Sequence, residues 1–266
     1  MNLPAEKLII TVTANPSWMY PETKNHPLSP EEIADCIHEC YQEGATIAHL
    51  HAPSGNWAEI SKRIRDKCDI ILQFGLSGTP LEKRLEQFLL KPDMMSIILT
   101  HHDEQLNQVS LNELHTKEEL KEYCRVCNKY GVKPEFETWH HGAVWNLKYL
   151  EDKGLVKKPY FLSLFFGWGG GSWSPPTPDE LLHRVHYLPA GSMYTTSVMD
   201  PDQMKLLALT ISVGGHVRVG TEDHPFLPEG TLVPNSELVR RVADLSKNLG
   251  RPVADIKEAR EAIGLT

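Results

Sequence analysis

Eight short apolar runs, KLIITVTAN, TIAHLHA, DIILQFGLS, MMSIILT, KPEFETW, PYFLSLFFG, SMYTTSVM and HVRVGT, recur along the chain, each followed by a stretch with helical spacing. Strands that alternate with helices must pair in parallel, because each helix carries the chain back before the next strand begins. Right-handed crossovers of this kind close into a barrel when the strands number eight. The alternation therefore predicts a (β/α)8 TIM barrel. The other fold open to such a pattern, a doubly wound sheet, places a glycine-rich phosphate loop after its first strand, where this chain has TANPSWMY.

Helix starts are marked at Ser29-Pro30-Glu31-Glu32, Thr79-Pro80-Leu81-Glu82, Thr116-Lys117-Glu118-Glu119, Thr177-Pro178-Asp179-Glu180 and Asp200-Pro201-Asp202-Gln203. Each sets a capping side chain three residues before an acid or amide that can reach back to it. Stops are marked by Gly44, Gly131, Gly154 and Gly250. No linker or low-complexity tract interrupts the pattern, and 266 residues with 41% hydrophobic content can bury one large core, so a single domain over 1–266 is expected.

The formal net charge of −8, with Lys and Arg dispersed, offers no footprint for nucleic acid or an anionic membrane. No run approaches the roughly 20 apolar residues of a membrane span, and no signal peptide opens the chain, so a cytoplasmic protein with a small-molecule partner is expected. Five cysteines, an odd number, argue for reduced thiols. The CxxC of Cys124 and Cys127 lies in a helical segment with no partner at zinc-finger spacing, and it reads as two half-buried thiols.

The second run carries His49 and His51, two apart at the C-terminal end of a barrel strand, where active sites are built. Two inward imidazoles are hard to bury without a shared partner, and a metal ion is such a partner. A third ligand is offered by the acidic pair Glu222 and Asp223 after the eighth run, since the second and eighth strands of a closed barrel both neighbour the first. Two imidazoles and a carboxylate make an open, catalytic type of site. Zinc is the first candidate, with manganese, iron and cobalt left open by ligand type.

SPEEIADCIHECYQEGATIAHLHAPSG, GVKPEFETWHHG, GGHVRVGTEDHPFLPEGTLVPNSELVRRVADLSKNLGR and VADIKEAREAIGL together resemble the β-keto acid cleavage enzymes, nearly end to end. The resemblance implies a metal-bearing barrel that condenses a β-keto acid with acetyl-CoA and cleaves the product to acetoacetate and a new acyl-CoA. It implies metal ligands at His49, His51 and Glu222, and a base, Asp223, poised by Arg218. It also implies an acid at Glu137 or Glu135, a substrate hydroxyl at Ser96, further substrate contact at Ser77, and a homo-oligomer, a tetramer.

Three stretches depart from the family pattern. Ala52-Pro53-Ser54 follows the HxH where the family has Val-Arg-Asp, Phe74-Gly75-Leu76-Ser77-Gly78 replaces its serine and glycines after the third strand, and Asn15-Pro16-Ser17-Trp18 replaces a glycine-acid pattern. Family members acting on an amino-bearing keto acid place a glutamate at this last position. Trp18, with Trp139 and Trp168, offers apolar surface instead, and a keto acid with a neutral, apolar side chain is expected. A preference for the amine would point to another acid, such as Glu22. Of the pairs His101-His102 and His140-His141, at most one member each should reach the site. FFGWGGGSWSPP, residues 165 to 176, has the composition of a lid. The rival readings are a metal-dependent hydrolase or aldolase on the same barrel, and a barrel that binds metal without turnover.

Overall fold

The computed structural model describes residues 7–16, 20–21, 23, 26–99, 102–106, 109–113, 115–167 and 173–265. All eight runs become parallel strands of one closed barrel: β1 (Ile10–Thr13), β2 (Ile47–Leu50), β3 (Ile71–Phe74), β4 (Met94–Ile98), β7 (Lys133–Thr138), β8 (Tyr160–Gly167), β9 (Ser192–Met199) and β10 (His216–Val219). The last strand pairs with the first. An antiparallel hairpin, β5 (His102–Leu106) with β6 (Val109–Glu113), is inserted after β4 and has no counterpart in the predicted pattern.

The surrounding helices are α1 (Pro30–Gln42), α2 (Trp57–Lys67), α3 (Leu85–Leu89), α4 (Lys117–Tyr130), α5 (Val144–Asp152), α6 (Pro178–His186), α7 (Gln203–Ser212), α8 (Asn235–Asn248) and α9 (Ile256–Ile263). Three of the five predicted starts hold. Ser29 and Glu32 form a reciprocal capping box on α1, and the Thr116 and Thr177 hydroxyls accept from Glu119 N and Glu180 N. The other two are displaced. Leu81 N, inside the start predicted at Thr79, is taken by Glu119, so a short 3-10 turn forms and α3 begins only at Leu85. Asp200 instead accepts from Asp202 N, and α7 starts at Gln203. Gly131, at φ 69°, supplies the left-handed residue that ends α4.

Paired residues on parallel strands face the same way, and so do alternate residues along each strand. The pairings of Thr11 with Arg218, Thr13 with His49, and His49 with Gln73 therefore place one set of side chains together. Ser96 with Glu135, Glu137 with Ser163, and Thr195 with Ser163 and His216 extend it round the barrel. The complementary set, including Val12, Ala48, Leu72, Ile97, Phe136 and Leu162, packs with Ile33, Ile37, Leu238 and Val242 of the helices in the main core. The polar set is thus the inside. Barrel interiors are ordinarily filled by branched aliphatic residues, and this one carries carboxylates, imidazoles and hydroxyls instead.

Two buried arginines hold the strand ends from outside. Arg84 donates to the carbonyls of Phe74, Gly75 and Ser96, and Arg184 to those of Thr138 and Phe165. Among the described residues no helix is long and apolar enough to cross a membrane. Cys124 and Cys127 are free and buried on α4, and burial pushes the Cys124 thiol up to about 12.

Candidate active site

β2 stops at Leu50, so His49 is its last inward residue and His51 lies one residue past the strand rather than within it. Asn15 takes over where the ladder ends. Its Nδ2 donates to His51 O at 3.1 Å and its Oδ1 accepts from His51 N at 3.4 Å. The two imidazoles meet with Nε2 atoms 3.2 Å apart. Glu222, brought over β1 from the end of β10, sets its carboxylate oxygens 3.6 Å from His49 Nε2 and 3.4 Å from His51 Nε2. All three ligand atoms lie within 4.8 Å of one another, and all three residues are buried.

This arrangement fits a metal ion on four grounds. His49 Nδ1 faces Gln73 Oε1, an acceptor, at 3.3 Å, which puts the ring proton on Nδ1 and leaves the Nε2 lone pair facing the centre. Burial, reinforced by the Arg218 charge, holds His49 well below the usual imidazole range, so the ring is a neutral ligand and not an ion-pair partner of Glu222. The Oε2 atom of Glu222 is buried without a hydrogen bond. A Cβ added to Gly75 would lie 2.7 Å from His51 Nε2 and 2.9 Å from His49 Nε2, so only glycine leaves the space before both nitrogens open.

Arg218 is fully buried and bridges the two acids, reaching Glu222 Oε1 at 3.0 Å and Asp223 Oδ1 at 2.8 Å. Burial opposes its charge, but Asp223 and Glu222 outweigh that and hold it protonated. For Glu222 burial acts upward, and the Arg218 charge overcomes it, holding the carboxylate well below its usual range. Asp223 moves the other way. Burial raises its pKa despite Arg218, which makes it a stronger proton acceptor than an ordinary aspartate. Ser197 Oγ donates to Asp223 Oδ2 at 2.8 Å, completing its clamp. One guanidinium against two carboxylates leaves net negative charge where a cation belongs.

Glu137 faces the mouth and accepts from Ser77 Oγ. Leu76, at φ 65°, turns the chain so that Ser77 can reach it. Ser77 is in turn fixed through its carbonyl by the buried His115, whose second nitrogen meets Glu119. Ser96 lies behind the ligand, 3.4 Å from His49 Nδ1.

Glu135 sits below Glu137, fully buried. Burial and then the Glu137 charge push it up to about 8. Ser163 and Ser96 lie close enough to favour its charged form slightly, yet neither makes a hydrogen bond of normal geometry to it. The raised pKa of Glu135 adds no pH-dependent penalty below pH 4.5, where the folded and unfolded side chains are both protonated. It becomes a growing penalty as pH rises from there to about 8. Glu135→Gln should therefore gain stability over the wild type across that window, by on the order of a few kcal/mol at its upper end. Urea unfolding at pH 5 and pH 8.5 measures the gap, and a gap that does not change with pH contradicts the assignment.

Trp139, Phe165, Ile98 and Met199 form a separate apolar cluster at the strand ends, with Tyr20 and Trp173 packed against it. Trp139 stacks on Phe165 at 4.0 Å, and the Arg218 guanidinium lies 4.9 Å from the Phe165 centroid. Trp18, Trp168, Glu22 and His101 lie outside the described residues, and of His102 only the backbone is described. His141 packs with His183 and Tyr187 away from the three ligands. Of the sequence-predicted lid, residues 168–172 lie outside the described residues, and its base is tied by Gly167 N to Ser174 O and Ser174 N to Trp139 O.

The β-keto acid cleavage enzyme family model matches residues 7–265. The chain belongs to the β-keto acid cleavage enzyme family. It is 32% identical to the 3-keto-5-aminohexanoate cleavage enzyme of Acetoanaerobium sticklandii, over 98% of this chain and 99% of that one. It is 27% identical to the 3,5-dioxohexanoate:acetyl-CoA acetone transferase of Paraburkholderia graminis, over 97% of this chain and 96% of the relative. Among solved structures it is similar to ObcA in its binary complex with oxaloacetate, at a TM-score of 0.74 and 15% identity, covering 91% of this chain and 68% of that one. This last likeness speaks for the barrel alone.

Membership in the β-keto acid cleavage enzymes gives the departures after β1 and β2 a structural reading. Where the family continues its HxH with Val-Arg-Asp, this member has Ala52-Pro53-Ser54, and the backbone of His51 is held by Asn15. Asn15 drew attention only as part of a departure, because its role depends on a contact across 36 residues. Gly75 likewise reads as an ordinary turn glycine until its distance from the imidazoles is known.

Proposed function

We propose that the chain is a metal-dependent β-keto acid cleavage enzyme that converts a β-keto acid and acetyl-CoA into acetoacetate and a new acyl-CoA. The observation that carries this reading is the buried constellation of His49, His51 and Glu222 coupled through Arg218 to Asp223. Full-length relatives named for acetyl-CoA transfer support it. His49, His51 and Glu222 would hold a divalent ion, zinc for preference, which when bound supplies Lewis-acid stabilisation to an oxyanion.

Asp223, oriented by Arg218 and Ser197, takes a proton from C2 of the keto acid. The carbon nucleophile so formed adds to the thioester carbonyl of acetyl-CoA, and the CoA thiolate leaves. The thiolate then adds to the original C3 carbonyl, and the C2–C3 bond breaks. The new acyl-CoA departs, and Asp223 returns its proton to C2 of acetoacetate. Glu137, held by Ser77, faces the same mouth as an acid that can hold or yield a proton. Ser96 acts from behind His49. Keto acid loss that requires acetyl-CoA supports the reading, whereas loss without it would indicate a hydrolase or lyase and no loss a binding barrel.

The side chain of the keto acid is read as neutral and apolar. The cluster of Ile98, Trp139, Phe165 and Met199 supports this. An ammonium group set among these four apolar side chains would lose hydration that they cannot replace. A straight-chain aliphatic β-keto acid should exceed its amino-substituted analogue at least about tenfold in kcat/KM. A preference for the amine would contradict this.

Five unpaired cysteines support a reducing, cytoplasmic setting. Exposed Trp145 and Tyr187, flanking a cavity of about 250 Å³ with Val144 and Pro189, support assembly into a homo-oligomer, read as a tetramer from the family resemblance alone.

A further inference from the structure

Asn235, the first residue of α8, has a side chain only 1% exposed. It lies where the ladder between β1 and β10 gives out. Gly220, at φ 150°, presses so close to β1 that a Cβ would fall 2.1 Å from Thr13 O, and beyond it the regular ladder gives way to one long backbone bond, Glu222 N to Thr13 O at 3.4 Å. The Asn235 amide bridges this gap. Its Oδ1 accepts from Thr221 N at 2.8 Å and its Nδ2 donates to Ala14 O at 3.2 Å, while the Thr221 hydroxyl donates to the same carbonyl at 2.8 Å. Nδ2 also meets Cys36 Sγ at 3.4 Å. The amide can be placed only this way round, because the reverse would set its NH2 against the Thr221 N–H.

Thr221 immediately precedes Glu222, and Ala14 immediately precedes Asn15, whose side chain holds His51. One buried amide therefore fixes the backbone behind two ligands that come from opposite sides of β1. We propose that Asn235 is a positioning residue for the metal centre, setting the distance between Glu222 and His51 from outside the ligand set. The inference rests on the metal reading of His49, His51 and Glu222. Removing a partner bonded directly to a ligating side chain weakens metal binding by about 10- to 100-fold in other sites, and Asn235, which acts one step further out through the backbone of Thr221 and Ala14, is expected at the lower end of that range.

The test is chelator competition for Zn2+ on the full chain, with the visible spectrum of the Co2+ form as a report on coordination geometry. Asn235→Ala should weaken zinc binding at least about tenfold and alter the Co2+ bands. Asn235→Asp, which keeps the acceptor for Thr221 N but loses the donor to Ala14 O, should fall between it and the wild type. Thr210→Ala is the control for general destabilisation, since its buried hydroxyl bonds Thr196 and Leu206 O. It should lower the melting temperature without changing zinc affinity. An Asn235→Ala affinity within twofold of wild type overturns the inference, and so does an equal loss in Thr210→Ala. A wild type that binds no zinc overturns the metal reading itself and the inference with it.

Discussion

Alanine at His49, His51 or Glu222 should strip the protein of stoichiometric metal and of measurable turnover while leaving the barrel folded. Each change removes one of only three donors from a site with no fourth protein ligand among the described residues. The fold survives because the ligands stand at or beyond the strand ends, whereas the main core lies between Val12, Ala48, Leu72 and Leu162 of the strands and Ile33, Ile37 and Leu238 of the helices. Glu222→Ala also leaves Arg218 its contact with Asp223, so no buried charge is stranded. Metal per chain by elemental analysis, beside thermal unfolding, measures both halves. Full metal content in all three variants would remove the ligand assignment.

The second large effect belongs to the acid beside the centre. Asp223→Asn keeps the shape of the side chain and its reach to Ser197 but cannot accept a proton, and turnover should fall on the order of a hundredfold or more with metal retained. Arg218→Ala should lose at least as much, although part of that loss would come from leaving Asp223 and Glu222 buried without a cation. Arg218→Lys separates the two effects: it keeps the charge and loses the forked contact. Near-normal rates in Asp223→Asn with acetyl-CoA present would show that another group is the base.

Much of this arrangement could be read from residue types alone. The apolar runs predicted every barrel strand, because the outward face of each packs under the helices and keeps its apolar residues even where the inward face is polar. The capping pairs at Ser29, Thr116 and Thr177 located their helices because the donors involved lie within one turn. Thr79 and Asp200 misled for the converse reason, since a tertiary contact from Glu119 and a local turn took the groups a cap would have used. The hairpin escaped notice because HDEQL and VSLNE carry polar residues at most positions, so no apolar run announces them. HxH and the acidic pair were legible through their spacing as candidate ligands, which the structure brings together as His49, His51 and Glu222. Asn15, Gln73, Gly75 and Asn235 were not, because the contacts that give them a role span 14 to 221 residues and involve types common in any loop.

The same limit explains the reading of Glu135 and Glu137. Both face inward, two apart on β7, and the strand pattern cannot rank them. The structure separates them by partner. Glu137 has Ser77 at the mouth, whereas Glu135 lies deeper, where burial keeps it protonated to about 8.

The most direct measurement follows the carbon of acetyl-CoA through one turnover. With metal-replete protein, a neutral β-keto acid and acetyl-CoA labelled with 13C in both acetyl carbons, the account predicts that the label leaves CoA and appears in C3 and C4 of acetoacetate. The new acyl-CoA carries none, and one acetoacetate forms per keto acid consumed. Keto acid lost while the label stays on CoA, or appears as free acetate, would contradict it.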